Sequence, residues 1–143
     1  MQNGKISDSS IAASSFFNSW YFPYFARLNK TGSSCSWTPG LGAGSWFQVD
    51  LGQKTAITGF ATQGTCYNAQ AWVTSYSIAY SNNSNSWTDY KESGTVKVFQ
   101  GNKDRNSIVT NTFKTEIRAQ YIRVLPKSWK NYATMRLELY GCY

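Results

Sequence analysis

Short runs in which apolar and polar residues alternate recur along this chain, separated by clusters of Gly, Pro, Asn and Ser. Alternation with a period of two places the apolar side chains on one face of a β-strand, whereas helical periodicity is hard to find. Strands are predicted at residues 47–51, 76–80, 122–124 and 137–139, and further strands at 57–62, 96–99 and 107–113. Short strands at this spacing predict an all-β sandwich or barrel.

The chain has 143 residues, enough for one hydrophobic core, so we interpret residues 1–143 as a single domain. Its formal net charge is +7, and most of the excess lies in residues 91–143, which hold ten Lys and Arg against four Asp and Glu. A basic surface favours acidic partners such as anionic lipid, sulfated glycan or nucleic acid, although an ordinary solvated face has the same composition.

The densest aromatic segment is residues 16–25, where seven of ten side chains are Phe, Tyr or Trp. The alternation breaks around Pro23, and a core cannot easily bury seven rings from one short segment. Some of the rings of Trp20, Tyr21 and Phe22 should therefore face solvent and form a contact surface. An aromatic core strand with a corner is the alternative. An exposed Trp or Tyr suits a membrane interface, and the same rings stack on sugar faces.

Nothing in the sequence nominates an active site. No histidine is present, which removes the commonest general base and the Ser-His-Asp arrangement. Residues 40–44 are Gly-rich but lack the Lys-Ser/Thr that completes a phosphate-binding loop. The three cysteines lack the short paired spacing of a zinc site. We predict a non-enzymatic domain with no catalytic residues, no metal and no cofactor.

Four charged residues lie in or directly beside the strands predicted at 47–51, 122–124 and 137–139. Alternation places them on the faces opposite the apolar rows: Asp50, Arg123, Arg136 and Glu138. Mixed charges on neighbouring strands can pair with one another, so we expect structural ion pairs here.

Distinctive blocks of sequence follow one another along almost the whole chain. They are residues 5–15, 26–29, 36–39, 46–52, 62–64, 73–76, 98–102, 121–126 with Trp129, and 135–142. The most recognisable is the strand Trp-Phe-Gln-Val-Asp-Leu-Gly at 46–52. This ordered series resembles the discoidin domains, also called coagulation-factor V/VIII C-type domains.

The resemblance implies a distorted jelly-roll, galactose-binding-domain-like β-barrel of about eight antiparallel strands with three loops at one end. These loops would be residues 19–24, 39–45 and 65–72. Their ligand-binding side chains would be Trp20, Tyr21, Phe22 and Tyr24 in the first loop, Leu41 in the second, and Tyr67 and Trp72 in the third. The polar candidates that would meet a headgroup are Arg27, Lys130 and Asn131.

The same resemblance places Cys35 and Cys66 near the loops. A disulfide between them, tethering the second and third loops, is therefore expected in an oxidising compartment, and two separate thiols are the alternative. The family's partner for the position of Cys142 would precede Met1, so Cys142 is expected to be unpaired.

Within the family, the chain looks most like the lactadherin-like and coagulation-factor C domains, which implies calcium-independent binding to phosphatidylserine membranes. The alternative is a lectin for galactose-type glycans at the same loops, with oligomers or tandem copies supplying avidity. Either ligand implies an extracellular domain held peripherally at a cell surface. The acceptor sequons at Asn29 and Asn82 are compatible with secretion. No nucleic-acid partner and no transmembrane segment are expected.

Overall fold

The computed structural model describes residues 1–32, 34–40, 42–67 and 69–142 of the chain. The strands are β1 (Ile11–Ala13), β2 (Phe47–Gln63), β3 (Trp72–Ser81), β4 (Thr88–Asp89), β5 (Lys91–Glu92), β6 (Thr95–Val96), β7 (Phe99–Gln100), β8 (Val109–Lys130) and β9 (Arg136–Gly141). Short 3₁₀ turns span Asp8–Ser10, Ser19–Tyr21 and Pro23–Phe25. In this part of the chain, no helix combines the length and apolar character needed to cross a bilayer.

The strands form a curled sheet and a small hairpin. The sheet runs in the order β1-β2-β8-β3-β4, with β9 paired to β2 and β7 paired to β3, while β5 and β6 form the hairpin. All of these strand pairs are antiparallel. The predicted all-β jelly-roll is confirmed.

Strands β2 and β8 are longer than the sequence pattern predicted. β2 joins two predicted strands into one, and so does β8. The pairing of β2 with β8 shifts register between Asp50 and Thr55, where Gly52 has a φ of 78°. A bulge of this kind bends a strand and interrupts its alternation without ending it. The predicted strand at 96–99 is wrong, because β6 ends at Val96 and a separate strand begins at Phe99.

A hydrophobic core fills the space inside the curled sheet. Its largest fully buried side chains include Trp37, Phe47, Phe60 and Tyr76. Trp37 comes from the segment before β2, and its indole N–H donates to the Ser15 carbonyl at 2.9 Å. The long aromatic segment is thereby anchored to the core at its beginning while most of its rings lie further out.

The charged strand residues have other partners than the predicted ion pairs. The register places Gln48 opposite Arg123, and Arg123 Nε donates to Gln48 Oε1 at 2.9 Å. The Arg123 guanidinium also lies 3.7 and 3.9 Å from the ring centroids of Trp46 and Trp87. Glu138 binds the Met1 amino group at 2.6 Å. The expectation failed because sequence alternation gives the face of a residue but not its neighbour across the sheet.

Four strand ends meet at one pole of the barrel, which we call the loop end. β2 finishes at Gln63, opposite the start of β9 at Arg136. β3 begins at Trp72, opposite the end of β8 at Lys130. The loop after β2 and the loop before β9 therefore lie side by side.

Tyr76 sets an alkaline limit on stability. Its hydroxyl accepts a hydrogen bond from Asn111 Nδ2 at 3.0 Å, and burial raises its pKa from 10.0 to about 12. The pKa of Tyr76 is higher in the folded protein than in the unfolded chain. Neutral Tyr76 therefore contributes fully to the free energy of unfolding below pH 10, and this free energy falls by roughly 2 kcal/mol as the pH rises toward 12. Urea denaturation across this range should show a smaller loss for Tyr76→Phe than for the parent. Tyr140→Phe, at an exposed ring, is the control, and equal losses in both variants would contradict the prediction.

Candidate functional site

Large rings are exposed at the loop end. Phe16, Phe17, Trp20 and Tyr132 have 45, 57, 54 and 58% of their surface accessible. Three of them come from the aromatic segment, and Tyr132 comes from the loop between β8 and β9. The ring centroids of Phe17 and Tyr132 lie 6.3 Å apart, so two distant parts of the chain contribute to one surface. We call these four residues the aromatic patch.

Two successive 3₁₀ turns spread the rings of the first loop. Asn18 caps the first turn, accepting from the Trp20 N–H at 3.0 Å, and Pro23 begins the second. A 3₁₀ turn has three residues per turn, so consecutive side chains point in different directions. Trp20 is consequently exposed while the next two rings, Tyr21 and Phe22, are half-buried.

The half-buried rings join the first loop to its neighbours. Phe22 packs edge-on against Phe16, with 4.6 Å between centroids. Tyr21 contacts Phe17 at 6.0 Å and Tyr67 of the third loop at 5.7 Å. The half-buried rings therefore hold Phe16 and Phe17 of the aromatic patch in place.

A cavity of about 180 Å³ opens between these rings. Aromatic, threonine and alanine side chains line it: Phe17, Tyr21, Tyr67, Tyr132, Thr38, Thr65, Thr134, Ala69 and Ala71. The Thr38 and Thr134 hydroxyls bond each other at 2.8 Å. The lining thus offers ring faces and a few hydroxyls, without a charged side chain among these residues.

Tyr67 supplies a buried hydroxyl at the wall of this cavity. The hydroxyl is shielded from water and has no hydrogen-bond partner among the described residues. Burial raises the pKa of Tyr67 and Tyr21 adds to the rise, while the nearby Ser34 hydroxyl opposes it without reaching hydrogen-bonding geometry. Tyr67 therefore remains a neutral hydroxyl with free hydrogen-bonding capacity.

Arg136 lies beneath the loop end and binds backbone carbonyls instead of a carboxylate. Its side chain donates to the carbonyls of Lys30 and Gly64 at 2.9 Å each and of Arg105 at 2.7 Å. Burial lowers the pKa of Arg136, and Arg105 lowers it further. Only 2% of Arg136 is exposed. Its planar donor array holds three separate loops together.

A disulfide joins Cys35 and Cys66, as expected, with 6.0 Å between their Cα atoms. It links the segment before β2 to the loop after it. Cys142 is a free, exposed thiol, also as expected.

Removing this disulfide should lower the free energy of unfolding by about 3 kcal/mol, because the bridge closes a loop with a sequence separation of 31. The double variant Cys35→Ala/Cys66→Ala, compared with the parent in urea denaturation, measures this. Cys142→Ala is the matched control and should unfold at the same urea concentration as the parent. A double variant as stable as that control would show that the bridge contributes nothing.

The predicted site residues of the third loop occupy different positions. Tyr67 is half-buried at the cavity, as described above. Trp72 does not present its ring at a loop tip, so that expectation is wrong. It is the first residue of β3, with only 7% of its surface exposed, and Lys130 Nζ lies 5.9 Å from its ring centroid. The loop ends one residue earlier than predicted, and the strand turns this ring inward.

The other predicted site residues also differ in their exposure and contacts. Arg27 is not free to meet a headgroup as expected, because it donates to the Met1 carbonyl at 2.7 Å and pairs with Asp8 at 2.5 Å. Lys130 is exposed, and so is Asn131, whose amide donates to the Gln70 carbonyl and ties two loops together. Tyr24 is half-buried against Phe22 and Phe25. Leu41 lies outside the described residues.

Phe17 and Tyr132 are not among the site residues that the sequence predicted. Phe17 was within the aromatic segment, where the density of rings gave the only available signal. Tyr132 follows the polar residues Lys130 and Asn131, three residues after Trp129. A ring in a polar stretch between two predicted strands could have indicated an exposed position, but not its contact with Phe17.

Comparison with known proteins places this geometry in a family. Residues 10–139 match the model of the F5/8 type C domain. Lactadherin of Rattus norvegicus is 43% identical over 150 residues, covering 99% of this chain and 35% of that protein. The EGF-like repeat and discoidin I-like domain-containing protein 3 of Homo sapiens is 40% identical over 152 residues, covering 99% of this chain and 32% of that protein. The chain spans about a third of the length of these curated relatives.

A solved structure gives the same answer. Discoidin II of Dictyostelium discoideum superposes with a TM-score of 0.84 at 27% identity, covering 93% of this chain and 55% of that chain. The fold, the ordered sequence blocks and the family match agree over nearly the whole chain. The chain therefore belongs to the F5/8 type C, or discoidin, family of binding domains.

Proposed function

We propose that residues 1–143 act as one non-catalytic module that attaches to membranes containing phosphatidylserine, without calcium, through the aromatic patch. The observation that carries this proposal is the exposure of Phe17 beside Tyr132, with Trp20 exposed three residues further along the same segment and Tyr21 packed against Phe17. Exposed apolar surface of this kind marks a contact site, and amphipathic rings suit the boundary between lipid and water.

The energy of insertion is adequate for reversible attachment. Burying one large side chain contributes about 1.5–3 kcal/mol, so three rings supply several kcal/mol before ordering costs are subtracted. Stable anchoring usually requires a second attractive contribution. The module should therefore bind peripherally and release when that contribution is removed.

Basic side chains at the loop end supply the second contribution. Lys130 is exposed and lies two residues from Tyr132. Lys30 Nζ lies 5.5 Å from the ring centroid of Phe25, at the other side of the aromatic segment. A Lys near an anionic bilayer contributes about 1 kcal/mol, and this attraction weakens in salt. We infer from it a preference for anionic over neutral lipid.

A glycan is the second candidate ligand, and the cavity between Phe17, Tyr21 and Tyr67 favours it. Ring faces suit a galactose-type sugar, which needs stacking and a few hydrogen bonds, and so does the Tyr67 hydroxyl, which has no hydrogen-bond partner among the described residues. The likeness to discoidin II is compatible with this alternative. A single shallow site of this kind would bind weakly, so oligomers or tandem copies would be needed.

The proposed location is extracellular, at the cell surface. The Cys35–Cys66 bridge supports it, because disulfides persist in oxidising compartments.

Vesicle sedimentation tests the proposed ligand. With a calcium chelator present, the parent protein should sediment with vesicles of phosphatidylcholine plus phosphatidylserine and much less with phosphatidylcholine alone. Added salt should weaken this binding and galactose should leave it unchanged. Equal sedimentation with both kinds of vesicle, or with neither, would contradict the proposal, and release from cells by galactose would favour the glycan.

A further inference from the structure

One sequon lies in the turn that follows β3, far from the aromatic patch. Asn82, Asn83 and Ser84 form it, and all three residues are exposed. β3 begins at the loop end with Trp72 and ends at Ser81. A strand of that length spans roughly 30 Å, so Asn82 lies near the opposite pole of the barrel.

The two asparagines of this turn make different hydrogen bonds. Asn83 Oδ1 accepts from the N–H groups of Asn85 and Ser86, both at 2.9 Å, so this side chain shapes the turn. Asn82 Oδ1 accepts from the Gln120 N–H at 3.2 Å. Asn82 Nδ2, the atom to which an N-linked sugar is attached, forms no hydrogen bond with the described residues. A glycan can therefore be attached there without breaking a contact of the fold.

The other sequon, which begins at Asn29, lies at the loop end. Asn29 has a φ of 63°, and its N–H donates to Gln63 Oε1 at 2.7 Å. Asn29 Oδ1 accepts from Gln63 Nε2 at 3.3 Å, in the corner that Arg136 also organises. A glycan at Asn29 would stand beside Lys30 and the aromatic segment, whereas a glycan at Asn82 leaves the loop end uncovered.

We propose that Asn82 is an N-glycosylation site. In the attachment step, Asn82 Nδ2 forms a bond to the anomeric carbon of N-acetylglucosamine in a lipid-linked oligosaccharide diphosphate. The bond from that carbon to the diphosphate oxygen breaks, the lipid diphosphate leaves, and the amide nitrogen loses one proton. The Cys35–Cys66 disulfide is consistent with passage through the oxidising compartment where this reaction occurs.

Secretion of the chain from cultured animal cells behind a signal peptide tests the proposal. The parent should move faster in gel electrophoresis after enzymatic removal of N-glycans, and mass spectrometry should find the modified peptide at Asn82. Asn82→Gln and Ser84→Ala should both lose the modified peptide, and before enzymatic treatment each should move faster than the parent by the mass of one N-glycan. Ser84→Ala leaves the Asn82 side chain and its contact with Gln120 intact, so it separates loss of the acceptor from a folding defect.

Ser86→Ala, in the same turn but outside the sequon, is the matched control and should keep the glycan. A secreted parent with an unmodified Asn82 peptide would overturn the proposal. So would a modified Asn82 peptide that persists in Ser84→Ala. The readout is the glycan alone, so its outcome is independent of whether the ligand at the loop end is a lipid or a sugar.

Discussion

A variant with Phe17→Ala and Trp20→Ala should bind phosphatidylserine vesicles at least about 100-fold more weakly than the parent, since each ring contributes about 1.5 kcal/mol or more on insertion. More than half of each ring's surface is exposed in the free protein, at 57 and 54%. Because the remaining surface is buried and Phe17 contacts two other rings, their loss should lower the free energy of unfolding by no more than about 2 kcal/mol, and the variant should stay folded. Vesicle sedimentation measures the binding, and urea denaturation measures the stability.

The control for this experiment removes exposed apolar surface elsewhere. Val98 and Tyr140 are 46 and 40% exposed, and Tyr140 lies toward the end of β9 that is remote from the loop end. Val98→Ala/Tyr140→Ala should bind vesicles like the parent. If the loop-end variant also binds like the parent while remaining folded, insertion of these rings is not the mechanism.

Arg136→Met should lower the free energy of unfolding by about 4 kcal/mol, the largest stability effect that we expect from a single substitution. Hydrogen bonds to a buried charged group contribute about 1.5–3 kcal/mol each, and Met would leave several carbonyls without a donor. These carbonyls belong to Lys30, Gly64, Thr65 and Arg105. Urea denaturation measures the loss, and amide hydrogen exchange should show reduced protection in the three loops.

Arg136→Lys distinguishes the geometry of Arg136 from its charge, and Arg118→Met is the control for removing an Arg elsewhere. Arg136→Lys keeps a positive charge but lacks the planar fork, so its stability should lie between the parent and Arg136→Met. Arg118→Met removes an exposed Arg that pairs with Glu116 at 2.8 Å, and it should change stability by less than about 1 kcal/mol. If Arg136→Met and Arg118→Met unfold at the same urea concentration, the hydrogen bonds from Arg136 to the backbone carbonyls are not stabilising.

The sequence predicted the strand-rich architecture well, because burial on one face of a strand leaves a local signature. The alternation at residues 47–51 and 137–139 reappears in β2 and β9, with Val49 and Leu137 in the core. The strand prediction failed where a strand bends, as at Gly52, because a bulge interrupts the alternation while the chain remains in the sheet.

The candidate site was predicted less completely, since its residues come together only in three dimensions. The density of rings in residues 16–25 was enough to infer that some, Trp20 among them, are exposed. The inward orientation of Trp72 and the ion pair of Arg27 with Asp8 could not be inferred, because each depends on a partner distant in sequence. Tyr132 was missed for the same reason.

By itself the sequence determined the jelly-roll, the family and the aromatic first loop, whereas it left the disulfide between Cys35 and Cys66 open against two separate thiols. These features follow from local periodicity, composition and an ordered series of motifs, all of which depend only on the order of residues along the chain. Only the tertiary structure decided that Tyr132 joins Phe17 in one surface and that Arg136 binds carbonyls. Those contacts depend on strand register and loop packing, which bring together groups that the sequence separates by tens of residues.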